Sequence, residues 1–313
     1  MIRVFIDGSS GTTGLKIKER LSGRSDIELH SVPYEMRHDI EVRRKAAESC
    51  DCVFLCLPDD AAKEIAAVLD PKGPVVIDTS TAHRTDDAWV YGMAELEGQR
   101  EKIAASHRIA NPGCHASGFI ALTAPLVKHG LIRPDTMLEC LSLTGYSGGG
   151  KKMIAQYEDA ARDPLLKAPR LYGLTQNHKH LPEMIRLSGL TVAPVFLPVV
   201  ADYYSGMETV IPLFSHQVNG TAADIIDCYE SVYSDGLIRV KRENGEGGFL
   251  SACSMSGRDD MELHVSGNAE RILLTARFDN LGKGASGAAI QNMNIAMGIR
   301  EDTGLVIGKD IQE

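Results

Sequence analysis

The first third of the chain alternates short, β-rich apolar runs with helix-forming stretches. Residues 2–6 form an apolar run closed by Asp7 and a glycine-rich turn, after which residues 15–21 read as a helix. The pattern returns in residues 27–32, in 52–57 ending at Pro58, in a helical stretch over 61–69, and in 75–78 as a buried strand. Parallel strands need crossover helices covering both sheet faces, so this spacing predicts an α/β fold with a doubly wound parallel sheet. After Asn111 the texture changes. Residues 136–144 alternate, with Met137, Glu139, Leu141 and Leu143 on one face, and 191–200 and 207–214 are extended runs. Residues 261–265 and 271–278 flank Gly267-Asn268, a hairpin signal, so the second region is expected to be α+β with antiparallel strands. The segment 284–298, small and apolar at helical spacing, is expected to return to the first domain. The expected division is 1–112 plus 282–313 for one domain and 113–281 for the other.

Length and composition leave these assignments standing and exclude others. With 313 residues, 43% hydrophobic and 24% charged, the chain can bury one large core or two ordinary ones. No run reaches the roughly 18 apolar residues that a membrane helix needs, and residues 1–7 meet an acid too early for a signal peptide. A cytoplasmic protein is expected, with no membrane partner. The net charge of −9 opposes a surface for nucleic acid. The seven cysteines, Cys50, Cys52, Cys56, Cys114, Cys140, Cys228 and Cys253, show neither a disulfide framework nor zinc spacing, so a reducing compartment fits and no metal is expected. The six other than Cys114 lie in strand-like or apolar runs, where burial should keep their thiols unreactive.

The segment Asp7-Gly8-Ser9-Ser10-Gly11-Thr12-Thr13-Gly14 lies between the first strand and the first helix. Gly8 suits a tight turn, Gly11 a close approach of backbone to a pyrophosphate, and Gly14 close helix packing, while the helix start offers free N–H groups. Gly8, Ser10, Gly11, Thr12, Thr13 and Gly14 are therefore candidate cofactor-binding residues of a Rossmann-type, dinucleotide-binding domain. A fold that prefers NAD usually carries an acid at the end of the second strand to hold the ribose 2′-hydroxyl. Here that strand runs Ile27-Glu28-Leu29-His30-Ser31-Val32, with Arg37 and His38 following, so NADP is favoured. Ser80, in a loop at the carboxyl end of another parallel strand, is a further candidate on the same grounds.

Two segments carry nucleophile and base chemistry. Asn111-Pro112-Gly113-Cys114 precedes a helical run over 119–127. If Cys114 lies in the first turn, the helix dipole and free N–H groups would lower its pKa and could hold an oxyanion; a buried structural cysteine is the alternative. Tyr172 to Glu183 contains His178-Lys179-His180-Leu181-Pro182-Glu183. The two histidines point the same way if the backbone there is extended; a helix begun at Pro182 would bring Glu183 close enough to orient an imidazole. With no third ligand in view, a metal pair is the weaker reading. His115, next to Cys114, should diverge from it by about 100° around a helix and so not share its face. Ser147-Gly148-Gly149-Gly150-Lys151 is a second glycine-rich loop, suited to an anionic group or to plain surface mobility.

In this order the segments resemble the N-acetyl-gamma-glutamyl-phosphate reductase family, in its short form, over nearly the whole chain. The resemblance rests on 6–15, 111–114, 147–151, 178–183, and on Asn280-Leu281-Gly282-Lys283-Gly284-Ala285-Ser286-Gly287 with the residues following. It implies NADP-dependent reduction of N-acetyl-glutamyl 5-phosphate to the 5-semialdehyde and inorganic phosphate through a cysteine thioester, in arginine biosynthesis. It further implies Cys114 as nucleophile, His180 as first choice of acid/base and His178 as second. Ser147, Tyr172, Glu183 and Lys151 would line or support the substrate pocket, and Asn280 would reach the cofactor. The second domain would be catalytic and would carry a homodimer or homotetramer contact. The family's longer form has Tyr after the cysteine and an Asp-Leu-Ser-Ala-Asp-Phe-Arg run, where this chain has His115 and Asp78-Thr79-Ser80-Thr81-Ala82-His83-Arg84.

Three rival readings stay open at this level. They are an aspartate-semialdehyde dehydrogenase-like acyl-phosphate reductase, a non-catalytic NADP-binding redox sensor, and a Cys–His hydrolase, the last of which leaves the glycine loop without a purpose.

Overall fold

The structure, a computed structural model, describes residues 1–243 and 246–308. It divides into two compact units. The first comprises Met1–Ala94, Gly98–Pro112 and Ala285–Leu305; the second comprises Glu95–Glu97, Gly113–Gly284 and the chain from Val306. The part of the expected first domain at 309–313 lies outside the described residues.

In the first unit β1 (Ile2–Asp7), α1 (Thr12–Leu21), β2 (Ile27–His30), α2 (Ile40–Glu48), β3 (Cys52–Leu55), α3 (Asp59–Val68), β4 (Val75–Asp78), β5 (Val90–Tyr91), α4 (Gln99–Ala104) and β6 (Arg108–Ala110) follow in order. All six strands run parallel, in the order β2-β1-β3-β4-β6-β5. Side chains alternate across a strand, so each strand feeds two cores. Val4, Ile6, Phe54, Ile77 and Ile109 face one side, where Ile290 and Met293 of the late helix Gly287–Ala296 complete the layer. Phe5, Val53, Leu55 and Val76 face the other, against Ala46, Ala47, Ala62 and Ile65 of α2 and α3. Burial on both faces explains why these strands read as continuous apolar runs.

In the second unit α5 (Cys114–Lys128), β7 (Glu139–Gly145), α6 (Gly150–Glu158), β8 (Arg170–Leu171), α7 (Leu181–Ser188), β9 (Val195–Ala201), β10 (Met207–Phe214), α8 (Ala222–Val232), β11 (Ile238–Lys241), β12 (Met261–Gly267) and β13 (Arg271–Phe278) build a seven-stranded sheet, ordered β11-β12-β13-β10-β7-β9-β8. The β12–β13 hairpin forms at Gly267 as expected. The sheet is mixed, however: β7 and β9 pair in parallel, as do β11 and β12, because the helix α7 and the long segment 242–260 serve as crossovers rather than tight turns. Helix α5 is buried almost all round and packs on β10, β13 and α7. It starts at Cys114, five residues before the apolar run at 119, since Cys114, His115 and Ser117 belong to its first turns.

Candidate active site

The glycine loop is built as its spacing implies. Gly8 has φ +86°, and a Cβ there would sit 2.3 Å from the Cys56 carbonyl oxygen. A Cβ at Gly14 would lie 2.5 Å from the Gly8 carbonyl oxygen, so both positions are closed to any side chain by the protein itself. Gly11 differs, because its Cβ would meet nothing nearer than 3.5 Å. What Gly11 leaves room for is therefore outside the chain. It stands at the N-cap of α1, which has no capping side chain and no acid in its first turn, and the buried Thr12 hydroxyl has no hydrogen-bond partner.

Gly8 and Gly11 border a cavity of about 720 Å³ also lined by Asp7, Ser10, Ser31, Arg37 and Arg43, among others. Arg43 enters the wall from α2 and holds Asp7 in a buried pair at 2.9 Å; burial raises the Asp7 pKa against that pairing. Arg37 lies over the Tyr34 ring, 3.6 Å from its centroid, and donates to the Tyr34 carbonyl at 2.6 Å. The cavity thus offers backbone donors, hydroxyls and cations where a dinucleotide phosphate needs them, with β2 ending in His30 and no carboxylate. The residues present fit NADP. Ser80 is otherwise engaged: its hydroxyl donates to Asp78 Oδ2 at 2.7 Å and accepts from the Ala82 N–H at 3.1 Å, while Asp78 also binds His83 Nδ1 at 2.7 Å.

In the second unit, Cys114 is the first residue of α5, and no capping side chain occupies that helix start. The preceding Gly113 is pinned at both ends. Its N–H donates to Glu183 Oε2 at 3.1 Å, and its carbonyl accepts from the Ser117 N–H at 2.9 Å. Glu183 is buried in the first turn of α7, at the chain distance from Pro182 that the sequence implies; the hydrogen bond seen there orients the Cys114 loop. Gly284 makes room beside Cys114, since a Cβ there would lie 2.9 Å from that of the cysteine.

His178 and His180 converge, but not through extended backbone. A turn at 178–181 folds them together, with the His180 N–H donating to His178 Nδ1 at 3.2 Å and the rings 4.8 Å apart at 84°. Accepting at Nδ1 makes His178 the Nε2–H tautomer, and burial, helped by Lys179, lowers its pKa to about 4. His115 joins them. Its ring lies 5.6 Å from His178, 5.7 Å from His180 and 5.3 Å from Phe196, and burial lowers its pKa to about 3. The divergence from Cys114 expected of a helix turns it into the histidine cluster rather than away from the chemistry. His115 Nδ1 is 2.7 Å from Ser142 Oγ, and Nε2 is 2.7 Å from the Tyr172 hydroxyl.

Sequence reasoning missed His115, Ser142 and Thr209. The available signal was a polar residue at the inward position of an alternating strand: Ser142 and Thr209 are fully buried, and it is the Leu141 row that faces out.

The remaining candidates divide. Ser147 is buried, and its Oγ accepts from Asn280 Nδ2 at 3.0 Å, while Asn280 Oδ1 accepts from the Gly206 N–H at 2.9 Å. Both ends of the Asn280 amide are thus spent inside the second unit. Lys151, in the first turn of α6, is exposed. Burial raises the thiol pKa values of Cys50, Cys52, Cys56, Cys140 and Cys228, but Cys253 is exposed in a turn. The expectation that all six other thiols are shielded fails at Cys253.

Fold and site together define the class: a dinucleotide-binding dehydrogenase with a thiol at a helix start. The family models for the semialdehyde dehydrogenase NAD binding domain and dimerisation domain match residues 3–106 and 114–280. The N-acetyl-gamma-glutamyl-phosphate reductase 2 of Pseudomonas putida is 44% identical, covering 94% of this chain and 96% of that one. Its namesake from Nostoc sp. is 39% identical over 97% and 99%, and the N-acetyl-gamma-glutamyl-phosphate reductase of Brucella suis 41% over 95% and 99%. Among solved structures, the aspartate semialdehyde dehydrogenase II of Vibrio cholerae superposes with TM-score 0.69 at 14% identity, covering 95% of this chain and 98% of that one, a likeness of fold. The chain belongs to the semialdehyde dehydrogenase family, in its N-acetyl-gamma-glutamyl-phosphate reductase branch.

Proposed function

We propose that this chain reduces N-acetyl-glutamyl 5-phosphate to N-acetyl-glutamate 5-semialdehyde and inorganic phosphate, with NADPH, in arginine biosynthesis. The observation that carries the mechanism is Cys114 at a helix start without a capping side chain, its entering loop fixed by Glu183, with His178 and His180 gathered around His115, the next residue in the chain. Cys114 is the nucleophile. His180 accepts the thiol proton as sulfur bonds to the acyl carbon, and returns it to the phosphate as the carbon–oxygen bond breaks, leaving a thioester. The N–H groups at the start of α5, where no side chain caps the helix, would stabilise the oxygen that becomes negative in this addition. The glycine loop and the cations of the cavity wall would hold NADPH, which would supply the hydride that reduces the thioester. The sulfur then leaves as thiolate when the aldehyde forms, and His180, recharged from solvent, reprotonates it. His178, neutral and held as the Nε2–H tautomer, is better suited to donate a hydrogen bond than to carry a proton.

Gly8, Ser10, Gly11, Thr12, Thr13 and Gly14 are assigned to NADP. Ser80 and Asn280 act there through the loops they brace, Tyr172 and Ser147 shape the acyl site, and Lys151 offers a charge to the phosphate. The expected division at 1–112 plus 282–313 against 113–281, with 95–97, 282–284 and 306–308 passing to the second unit, separates cofactor and acyl chemistry, in a cytoplasmic protein. Among the described residues no helix is long and apolar enough to cross a membrane. The outer row Leu141, Val195, Phe214 and Leu273 is the proposed contact of a homodimer or homotetramer.

The test runs the purified protein in the oxidative direction with N-acetylglutamate semialdehyde, phosphate and either NADP or NAD. Phosphate-dependent formation of NADPH is expected, and its loss in Cys114→Ala. Turnover with aspartate semialdehyde in preference, or turnover that persists in Cys114→Ala, would refute the assignment.

A further inference from the structure

Three buried groups of the second unit and the half-buried Tyr172 form one hydrogen-bonded line. Thr209 Oγ1 is 3.2 Å from Ser142 Oγ, Ser142 Oγ is 2.7 Å from His115 Nδ1, and His115 Nε2 is 2.7 Å from the Tyr172 hydroxyl. Each hydroxyl can donate once, and a neutral imidazole donates from one nitrogen and accepts at the other. The line therefore runs in one of two directions.

In the first, Tyr172 donates to His115 Nε2, Nδ1–H donates to Ser142, and Ser142 donates to Thr209. The Thr209 proton is then left over at a fully buried residue whose Oγ1 has Ser142 as its one hydrogen-bond partner among the described residues. A buried donor without an acceptor costs on the order of 1–3 kcal/mol. In the second direction Thr209 donates to Ser142, Ser142 to Nδ1, and Nε2–H to the Tyr172 oxygen. The proton left over is then that of Tyr172, a half-buried residue in the histidine cluster, which can place it on solvent or substrate. The closed end decides the polarity. His115 stays neutral in either case, its pKa being lowered to about 3 by burial and by His178 and Lys179.

We propose that His115 is a positioning residue which, fixed as the Nε2–H tautomer by Ser142 and Thr209, donates to Tyr172 and so commits the Tyr172 O–H as a hydrogen-bond donor to the sulfur of Cys114. His115, the residue after Cys114, holds the Tyr172 hydroxyl at 2.7 Å and so anchors it next to the residue that carries the sulfur; the charge of Cys114 adds to burial in raising the phenol pKa. The converse also holds: a phenol that keeps its proton favours the sulfur anion. A neighbour that merely accepted from Tyr172 would withdraw the proton from this use. The inference rests on Cys114 being the reactive thiol of the proposed function.

The test reads Cys114 directly and needs neither substrate nor cofactor. Iodoacetamide alkylation is followed by peptide-resolved mass spectrometry, which separates Cys114 from Cys253, across a pH series, with far-UV circular dichroism as the folding check. His115→Phe and Tyr172→Phe should each slow Cys114 alkylation near neutral pH about tenfold, as a thiol pKa one unit higher would. The double variant should be no slower than either single one, since one acts through the other. His115→Gln, which keeps an N–H near the Nε2 position, should restore most of the rate. If His115→Phe does not fold, Ser142→Ala combined with Thr209→Val releases the polarity and should slow alkylation in the same sense. An unchanged pH profile in the variants, or additive losses in the double variant, would overturn the proposal. A wild-type protein that alkylates as described yet fails to turn over the semialdehyde would overturn the proposed function and leave this inference standing.

Discussion

His180 and His178 sit two residues apart on a turn, yet their environments differ in kind. His178 spends Nδ1 on the His180 N–H and resists protonation down to about pH 4, whereas His180 caps α7 beside the Cys114 loop. His180→Asn should therefore lower kcat by roughly two to four orders of magnitude, the range for a lost acid or base, with KM little changed. His178→Asn should cost less. Steady-state kinetics of both variants check this, and a crippled His178→Asn beside a near-normal His180→Asn would exchange the roles. His115 leads to a pH prediction. Its folded pKa is lowered to about 3 from 6.5, so its contribution is complete above 6.5 and lost as pH falls toward 3, because the unfolded chain takes up the proton first. Stability should thus fall with a slope of up to about 1.4 kcal/mol per pH unit from this group. Urea unfolding between about pH 6 and pH 4 should show a shallower decline in His115→Gln.

At the level of elements, the three glycines of the first loop separate structural from functional need. Gly14→Ala drives a methyl to 2.5 Å from a backbone oxygen and should destabilise by several kcal/mol. Gly11→Ala meets nothing closer than 3.5 Å, so it should leave Tm within a few degrees while raising KM for NADPH at least about tenfold. Thermal unfolding beside cofactor titration tests the pair. The first unit's strands were legible because burial on both faces writes them as unbroken apolar runs, and the loop because its glycines answer to backbone geometry at fixed spacing. The second unit was less legible. The alternation of β7 was plain, but hydropathy does not reveal that its inward row is Cys140, Ser142 and Thr144, since two of those positions are polar, Ser142 for the sake of Thr209 far along the chain. The parallel pairings of β7 with β9 and β11 with β12 were hidden for a related reason: strand pattern fixes faces, not neighbours. Local pattern likewise cannot tell that Arg43 answers Asp7 across 36 residues.

For the molecule as a whole, the outer row of the second sheet is the feature that composition does not suggest. Val195 is 52% exposed, Phe214 57% and Leu273 42%, beside Leu141 on neighbouring strands of one face. Under the proposed contact between copies, this exposed row should yield to charge. Val195→Lys with Leu273→Lys should shift the mass in light scattering toward a single chain, while an unchanged oligomer would place the contact elsewhere. The path of the chain carries a different consequence. The core of the first unit is closed by Ile290 and Met293, which follow some 170 residues of the second unit in sequence. On a ribosome adding about 5–20 residues per second, the nascent first sheet must wait about nine seconds or more for its own last helix. Until then Ile6, Ile77 and Ile109 share that side with Ile17 and Leu21 of α1 and Ile103 of α4, and the part of the core that Ile290 and Met293 fill stays open. The half-made protein is thus a natural client for chaperones, and a nonsense codon anywhere before residue 285 would release a chain whose oldest part is unfinished.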